Sequence, residues 1–172
     1  MARSTSKTTL IYLTGMPSCG KSTLGRLLAQ AINYDFVDLD HYIEKKNGLT
    51  IPEIFETKGE DFFRIQEKQA VIDSTSWNNT VVACGGGAPC FFDNMKTMNK
   101  YGKTIFINVS MQTLQNRLTR SHNKRPLLAN KSHSELLSEL KTKFIARQKF
   151  YTQAKSIFFY DNLQLEQLLQ AI

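Results

Sequence analysis

Long hydrophobic runs are absent from this chain of 172 residues. A transmembrane helix needs roughly 18–20 consecutive apolar residues, and since no segment approaches that length we expect no membrane span. The first seven residues are polar and basic, and the apolar segment after them is typical of a strand, so we expect no signal peptide. The sequence also lacks internal repeats and linkers, and we therefore predict a single domain over residues 1–172.

Cysteine is scarce, with only Cys19, Cys84 and Cys90 in the whole chain. Three cysteines cannot all pair in disulfides, and their spacing does not match that of a zinc site. This usage favours a reducing compartment. Because no signal peptide is predicted either, we expect a cytoplasmic protein.

Basic residues outnumber acidic ones: 22 Lys and Arg against 15 Asp and Glu give a net charge of +7. An anionic ligand such as ATP fits this balance, although a solvated basic surface accounts for most of the excess. The sequence has no dense basic stripe and no nucleic-acid-binding motif, so we expect no nucleic-acid partner.

A glycine-rich segment near the start of the chain carries the clearest functional signal. Residues 15–22 read GMPSCGKS and match the phosphate-binding pattern G-x-x-x-x-G-K-[ST]. An apolar strand is predicted before this loop, at residues 9–14, and a helix with apolar residues at helical spacing follows at 22–32. In this context Lys21 would reach the β- and γ-phosphates of a nucleotide, and Ser22 would bind Mg²⁺.

The phosphate loop is unusual in the middle of the motif. Pro17 has no N–H group to donate to a phosphate, and Ser18 occupies a position where many small kinases have a further glycine. For Cys19 we expect a space-filling role, with a redox role as the alternative. Because Lys21 and Ser22 are intact, we do not expect a loss of activity.

Two carboxylates follow the short second strand predicted at residues 36–37. Ligands gather at the carboxyl ends of the strands in a doubly wound sheet. One of the two side chains, Asp38 or Asp40, could therefore support Mg²⁺ while the other meets a substrate hydroxyl. Alternatively, Asp40 is only the N-cap of the helix that follows.

Three successive glycines, Gly85, Gly86 and Gly87, follow the buried strand predicted at residues 80–84. Such a run is unfavourable to order because glycine loses more backbone freedom than any other residue. Close approach of the backbone to a ligand explains it better than a flexible turn does. We therefore predict that these glycines line the site.

Strands and helices alternate along the predicted chain. This pattern is typical of an α/β protein with a parallel sheet covered on both faces and right-handed crossovers. The predicted strands are 9–14, 36–37, 80–84, 103–109 and 156–160. The predicted helices are 22–32, 41–46, 51–57, 61–73, 93–101, 111–120, 134–154 and 163–172, with a break at 58–60.

Residues 121–132 read SHNKRPLLANKS, which is polar, basic and interrupted by a proline. We interpret this segment as a mobile flap, because such flaps close over phosphates and exclude water. Arg125, which lies on it, could stabilise the transferring charge. A plain solvated loop is the alternative.

Taken in order, these motifs resemble those of the shikimate kinase family across nearly the whole chain. Together they are far more specific than the phosphate loop alone. The matching residues are 15–22, 37–40, 51–55, 59–60, 63–64, 85–88 and 125–128, followed by Arg147, Tyr151 and Ala154.

The resemblance implies a P-loop kinase fold of three layers, α/β/α, with a five-stranded parallel sheet in the order 2-3-1-4-5 and a mobile lid at about residues 121–132. It implies transfer of the γ-phosphoryl group of ATP to the 3-hydroxyl of shikimate, in aromatic amino-acid biosynthesis. One Mg²⁺ ion would accompany ATP. Shikimate and ATP would be the small-molecule partners, and we expect a monomer.

The resemblance also implies roles for individual residues. Lys21, Asp40 and Arg125 would be catalytic, with Asp40 contacting shikimate hydroxyls and acting as the base. The nucleotide would be bound by Ser18, Cys19, Gly20, Lys21, Ser22, Thr23, Arg120 and Arg125. The acceptor would be bound by Asp40, Arg64, Gly85, Gly86, Gly87 and Arg147, with the two arginines gripping its carboxylate. Ser22 and Asp38 would hold the metal.

Two other functions remain open at the level of sequence. A related small-molecule kinase, such as a gluconate kinase, would share the phosphate loop, but a neutral acceptor would not need the pair Arg64 and Arg147. A catalytically silent nucleotide-binding homologue would bind ATP without transfer. The intact residues of the motifs argue against the silent homologue: Lys21, Ser22, Asp38, Asp40 and Arg125.

Overall fold

The computed structural model describes residues 10–122, 132–159, 161, 165–170 and 172. Within them, five strands alternate with helices. The strands are β1 (Leu10–Thr14), β2 (Asp35–Asp38), β3 (Thr80–Ala83), β4 (Lys103–Asn108) and β5 (Ser156–Phe159). The helices are α1 (Lys21–Ile32), α2 (Leu39–Asn47), α3 (Ile51–Ser74), α4 (Asn94–Tyr101), α5 (Met111–His122), α6 (His133–Tyr151) and α7 (Leu165–Leu169), with a short 3₁₀ helix at Ala88–Cys90.

All the strand pairs are parallel, and the order across the sheet is β2-β3-β1-β4-β5. This confirms the predicted fold class and strand order. Because the strands are parallel, β1, β2 and β3 end at the same edge of the sheet. The segments that follow these strands are therefore brought together there.

Alternation along β1 explains why the sheet is covered on both faces. Ile11 and Leu13 pack into one hydrophobic core, whereas Leu10 and Tyr12 pack into the other. Side chains of α1, α5, α6 and α7 fill the first core, and those of α2, α3 and α4 fill the second. A strand that is buried on both sides needs apolar residues at every position, and this explains the continuous apolar run in the sequence.

In the described residues, no helix combines the length and the apolar character that a bilayer crossing requires.

Local signals set the helix boundaries. Helix α3 begins with a capping box in which Thr50 accepts from the Glu53 N–H and the Glu53 side chain accepts from the Thr50 N–H. Ser132 and Glu135 form the same arrangement at the start of α6. The break predicted at residues 58–60 is present as a kink, because Gly59 has φ 82° and ψ 172° inside α3.

Several predicted boundaries are wrong by a few residues. Helix α6 ends at Tyr151 rather than at 154, and α7 ends at Leu169 rather than at 172. At the two ends of the predicted flap, residues 121 and 122 belong to α5 and Ser132 is the N-cap of α6. The rest of the flap, residues 123–131 with Arg125, lies outside the described residues.

Candidate functional site

A cleft of about 760 Å³ opens at the carboxyl ends of β1, β2 and β3. It brings the phosphate loop together with the two aspartates and the glycine run. The described residues lining it are Pro17, Ser18, Gly20, Lys21, Ser22, Thr23, Asp38, Asp40, Cys84, Gly85, Gly86 and Arg117. Most of the residues predicted for the nucleotide therefore share one cavity with some of those predicted for the acceptor.

Lys21 lies at the start of α1 and is buried, with an exposed fraction of 8%. Its ammonium group donates to the carbonyl oxygens of Gly15 at 2.9 Å and Met16 at 2.8 Å. Gly20, the N-cap, has φ 102°, a left-handed conformation that glycine adopts without strain, and the first residues of α1 line the cleft. No acidic residue lies in the first turn. This end of α1 is therefore suited to an anion.

Ser18 has φ 66°, in the left-handed region that favours glycine. This conformation suits the glycine that many small kinases have at this position. Cys19 is 1% exposed and packs in the core beside α1, with its Sγ 3.6 Å from the Lys21 Nζ. Its burial favours the space-filling role over the redox role.

Arg117 on α5 is a contact that the sequence did not reveal. Its guanidinium donates to the carbonyl oxygens of Cys19 at 2.9 Å, Ser18 at 3.3 Å and Asp161 at 3.2 Å. Arg120, which had been predicted for the nucleotide, is exposed and is not among the residues that line the cleft. Arg117 and Arg120 lie three positions apart on one helix, and the spacing to Arg125 varies within the family. The sequence could therefore not show which of the two arginines reaches the phosphate loop.

Ser22 and Asp38 meet at the mouth of the cleft, where the Ser22 hydroxyl donates to Asp38 Oδ2 at 2.6 Å. Oxygen atoms are the ligands that Mg²⁺ prefers, and it commonly takes one or two carboxylates together with substrate phosphates and water. The pair therefore fits the predicted metal position. Asp38 is also the N-cap of α2, since its Oδ1 accepts from the Asp40 N–H at 3.1 Å. The capping alternative considered for Asp40 thus applies to Asp38 instead.

Asp40 lies in the first turn of α2 and faces the cleft. Burial raises the pKa of its carboxyl to about 6, the negative charge of Asp38 adds to the rise, and the positive charge of Lys21 opposes it. A carboxylate whose pKa lies close to neutrality is matched to proton transfer. The raised pKa of Asp40 is therefore compatible with the predicted role of a base.

Each glycine of the run lies close to at least one charged side chain that was predicted for the site. A Cβ atom on Gly85 would lie 2.5 Å from Asp40 Oδ1, and one on Gly87 would lie 2.5 Å from Arg64 Nη1. A Cβ atom on Gly86 would lie 3.1 Å from Arg147 Nη1. Any larger residue would displace these side chains, which is the physical reason for three successive glycines.

Arg64 is held by two carboxylates from its own helix, α3. Its Nε and Nη2 donate to Glu60 at 3.0 and 2.8 Å, and its Nη1 donates to Glu67 at 2.5 Å. An arginine has five N–H donors, so these three bonds leave two for a ligand. A planar fork with two remaining donors is suited to a carboxylate.

Arg147 reaches the same place from α6. Tyr151, one turn later on the same helix and fully buried, donates from its hydroxyl to the Gly86 carbonyl at 2.5 Å. This bond fixes the end of α6 against the glycine run. Two guanidinium groups from different helices therefore converge beside Gly86 and Gly87.

Glu67 is the second residue near the cleft that the sequence analysis missed. It is 1% exposed, and its Oε1 would lie 3.0 Å from a Cβ atom on Gly85, the same point that Asp40 approaches. Burial raises the pKa of its carboxyl to about 7, which Arg64 opposes and the charge of Asp40 reinforces. Its position three residues after Arg64 was the available signal, because residues so spaced lie on one face of a helix.

The raised pKa of Glu67 predicts a pH dependence of stability. Between its ordinary pKa of 4.5 and its native pKa of about 7, native Glu67 keeps a proton that the unfolded chain releases. Its contribution to stability is thus fully present below pH 4.5 and is lost as the pH rises through about 7. We expect the melting temperature of the wild type relative to Glu67→Gln to fall over this window and then level off.

Thermal melts at closely spaced pH values would measure that difference. The exposed Glu56, on the same helix, provides the control, and Glu56→Gln should leave the pH profile of the wild type unchanged. If the melting temperature of the wild type relative to Glu67→Gln rose between pH 4.5 and 7, the pKa of the Glu67 carboxyl would not be raised in the native state.

Comparison with known sequences agrees with this geometry. The shikimate kinase family model matches residues 17–172. The shikimate kinase of Bacteroides thetaiotaomicron is 42% identical over 154 residues, which cover 90% of this chain and 88% of the relative. The shikimate kinase of Phocaeicola vulgatus is 40% identical over 163 residues, covering 95% of this chain and 93% of the relative.

Solved structures give the same result. The crystal structure of the shikimate kinase from Bacteroides thetaiotaomicron matches with a TM-score of 0.88 and 40% identity, over 95% of this chain and 96% of that one. The structure of the shikimate kinase from Acinetobacter baumannii in complex with shikimate matches with a TM-score of 0.83 and 32% identity, over 95% of this chain and 90% of that one. A gluconokinase from Sinorhizobium meliloti, at 15% identity and a TM-score of 0.55, shares the fold alone. With its phosphate loop, its paired arginines and these relatives, the chain belongs to the shikimate kinase family.

Proposed function

We propose that this protein transfers the γ-phosphoryl group of ATP to the 3-hydroxyl of shikimate, giving shikimate 3-phosphate and ADP in aromatic amino-acid biosynthesis. The observation that carries the proposal is the convergence of Arg64 and Arg147 on the glycine run, next to the cleft of the phosphate loop. Two guanidinium groups would favour an acidic acceptor. From their position they would hold that acceptor beside the phosphates.

On the nucleotide side, Lys21 would exchange its bonds to loop carbonyls for bonds to the β- and γ-phosphates. The N–H groups at the start of α1 would bind the same phosphates. Arg117 would hold the loop through the carbonyls of Ser18 and Cys19. Ser22 and Asp38 would hold Mg²⁺, which when bound neutralises phosphate charge.

On the acceptor side, Arg64 and Arg147 would bind the shikimate carboxylate and fix the ring. Asp40 would then take the proton of the attacking hydroxyl, since its raised pKa suits a base that works near neutral pH. Phosphoryl transfer depends mainly on positioning and charge neutralisation, and these residues supply both. Arg125 remains the residue that we propose for the lid side of the phosphates, with Arg120 as a weaker candidate near the adenine.

A coupled assay of ADP release tests the proposal, with ATP, Mg²⁺ and one of four acceptors: shikimate, quinate, gluconate or a nucleoside monophosphate. We expect turnover on shikimate to exceed that on the others. Gluconate is also a carboxylate, so the arginine pair alone does not exclude it. Turnover on gluconate without turnover on shikimate would overturn the proposal, and ATP binding with no turnover at all would favour a silent homologue.

Replacing Arg147 by alanine should raise the KM for shikimate far more than the KM for ATP. A hydrogen bond to a charged group contributes about 1.5–3 kcal/mol, so we expect an increase of about tenfold to a hundredfold. Steady-state kinetics with each substrate varied in turn would measure both constants. Lys149→Ala, an exposed residue on the same helix, is the control. Equal changes in the two KM values would remove the carboxylate role of Arg147.

The proposal extends to a monomeric, cytoplasmic enzyme. The three cysteines are all free, which suits a reducing compartment. All the residues that we assign to the two substrates belong to one chain, so the chemistry does not require a second copy.

A further inference from the structure

Arg64 contacts an aromatic ring in addition to its two carboxylates. The Cζ atom of its guanidinium lies 4.1 Å from the centroid of the Phe91 ring. The ring of Phe63, its chain neighbour, is farther away, at 5.2 Å. Phe91 thus provides the nearest aromatic surface to the Arg64 cation among the described residues. A cation over an aromatic face is attracted by the quadrupole of the ring.

The Phe91 ring restrains the tilt of the Arg64 guanidinium, which the two carboxylates restrain less. Glu60 and Glu67 bind N–H groups, and N–H groups point outward within the plane of a guanidinium. Such bonds fix the edges of the group but restrain its tilt less. Bidentate recognition of a carboxylate needs the tilt as well, because both partners are planar and their two bonds must be parallel. With its centroid 4.1 Å from the Cζ atom, the Phe91 ring contacts the guanidinium group closely enough to supply that restraint.

The backbone turns in an unusual way to place this ring. Phe92, the next residue, has φ 52°, a left-handed conformation that is an outlier for a bulky side chain. In an extended chain, successive side chains point to opposite sides. Here both face α3: Phe91 lies on Arg64, and the Phe92 ring lies 5.0 Å from the Nζ of Lys68, one helical turn later.

Hydrogen bonds hold the segment in that turn. The Cys90 N–H donates to the Gly87 carbonyl at 2.8 Å, and the Asn94 N–H donates to the Phe91 carbonyl at 3.3 Å. The buried Asn94 side chain also donates to the Ala88 carbonyl at 2.9 Å. Strained backbone persists only where its surroundings over-determine it. Hydrogen bonds therefore connect the glycine run to the segment that carries Phe91.

We propose that Phe91 is a positioning residue, which sets the tilt of the Arg64 guanidinium for the carboxylate of the acceptor. The inference rests on the proposed function, because it assumes that Arg64 binds that carboxylate. Phe91 itself would act through Arg64. It should therefore affect the affinity for the acid and leave the nucleotide and the chemical step unchanged.

Three variants test this inference. Phe91→Leu removes the aromatic face, Phe91→Tyr keeps it, and Phe92→Leu changes the neighbouring phenylalanine over Lys68, outside the site. We expect Phe91→Leu to raise the KM for shikimate about threefold to tenfold, with kcat and the KM for ATP within about twofold of the wild type. Phe91→Tyr and Phe92→Leu should keep the wild-type KM. Melting curves would establish that each variant is folded at the assay temperature.

A double-mutant cycle with Arg64→Lys separates positioning from general loosening of the loop. Lysine keeps the charge but has no planar fork to orient. Adding Phe91→Leu to that variant should leave the KM for shikimate unchanged, because the group through which Phe91 acts is gone. An equal penalty in both backgrounds would overturn the inference.

The same experiment distinguishes the two proposals. A wild-type protein that does not phosphorylate shikimate overturns both. An active wild type with an unaltered KM in Phe91→Leu overturns this inference alone. A Phe91→Tyr variant as impaired as Phe91→Leu also overturns it, since the aromatic face is then not the cause.

Discussion

Replacing Lys21 by alanine is expected to abolish phosphoryl transfer, with kcat falling by about a thousandfold or to the limit of detection. Removing one preorganised donor from a developing charge typically lowers kcat by about 10²–10³. Lys21 is 8% exposed and lies at the start of α1, so water has little access to the position that its ammonium group occupies. The assay is ADP release with saturating ATP and shikimate.

Lys21 also holds the phosphate loop through its bonds to Gly15 and Met16, so the experiment needs a variant that preserves packing. Lys21→Met keeps the length of the side chain and should be as inactive as Lys21→Ala. Lys45→Ala removes an exposed lysine from α2 and should retain the wild-type kcat. A normal kcat in either Lys21 variant would count heavily against the proposed function.

Replacing Asp40 by asparagine is expected to lower kcat by about a hundredfold or more, while ATP still binds. General base catalysis typically contributes about 10²–10⁴ in rate. Asparagine is nearly isosteric with aspartate but cannot accept the proton of the acceptor hydroxyl. Because the residues proposed for the nucleotide are unaltered in this variant, the KM for ATP should change little.

Asp35→Asn is the matched control, because Asp35 is exposed and lies at the other end of β2. It should retain the wild-type kcat. Rate measurements at saturating shikimate separate a loss of base catalysis from weaker binding of the acceptor. An unchanged kcat in Asp40→Asn would remove the proposed role of the base, although the role of Arg64 and Arg147 would be untouched.

Much of this arrangement was predictable because the signals are local. A parallel strand buried on both faces leaves an apolar run, and the phosphate loop leaves a fixed spacing of glycine, lysine and serine. The chain order of strands and helices then required a parallel sheet. The strand order itself came from the resemblance to a family, since alternation alone does not specify it.

What escaped prediction depends on contacts between distant segments or on the phase of a helix. Glu67 and Phe91 look like ordinary helix and loop residues until the fold places both against Arg64. Arg117 and Arg120 differ only in which side of α5 they occupy. Asp38 rather than Asp40 became the N-cap because α2 begins at Leu39, earlier than the sequence indicated.

Pro17 lies against Gly86, so that a Cβ atom on that glycine would approach the proline Cδ to 2.8 Å. The phosphate loop and the glycine run thus touch at one wall of the cleft that they share. A substrate that moves either loop shifts the other, and by thermodynamic reciprocity the resulting change in affinity is equal for the two substrates. Affinities measured for one substrate alone therefore describe only half of a coupled system, and inhibitors that compete with either substrate are best ranked with the other substrate bound.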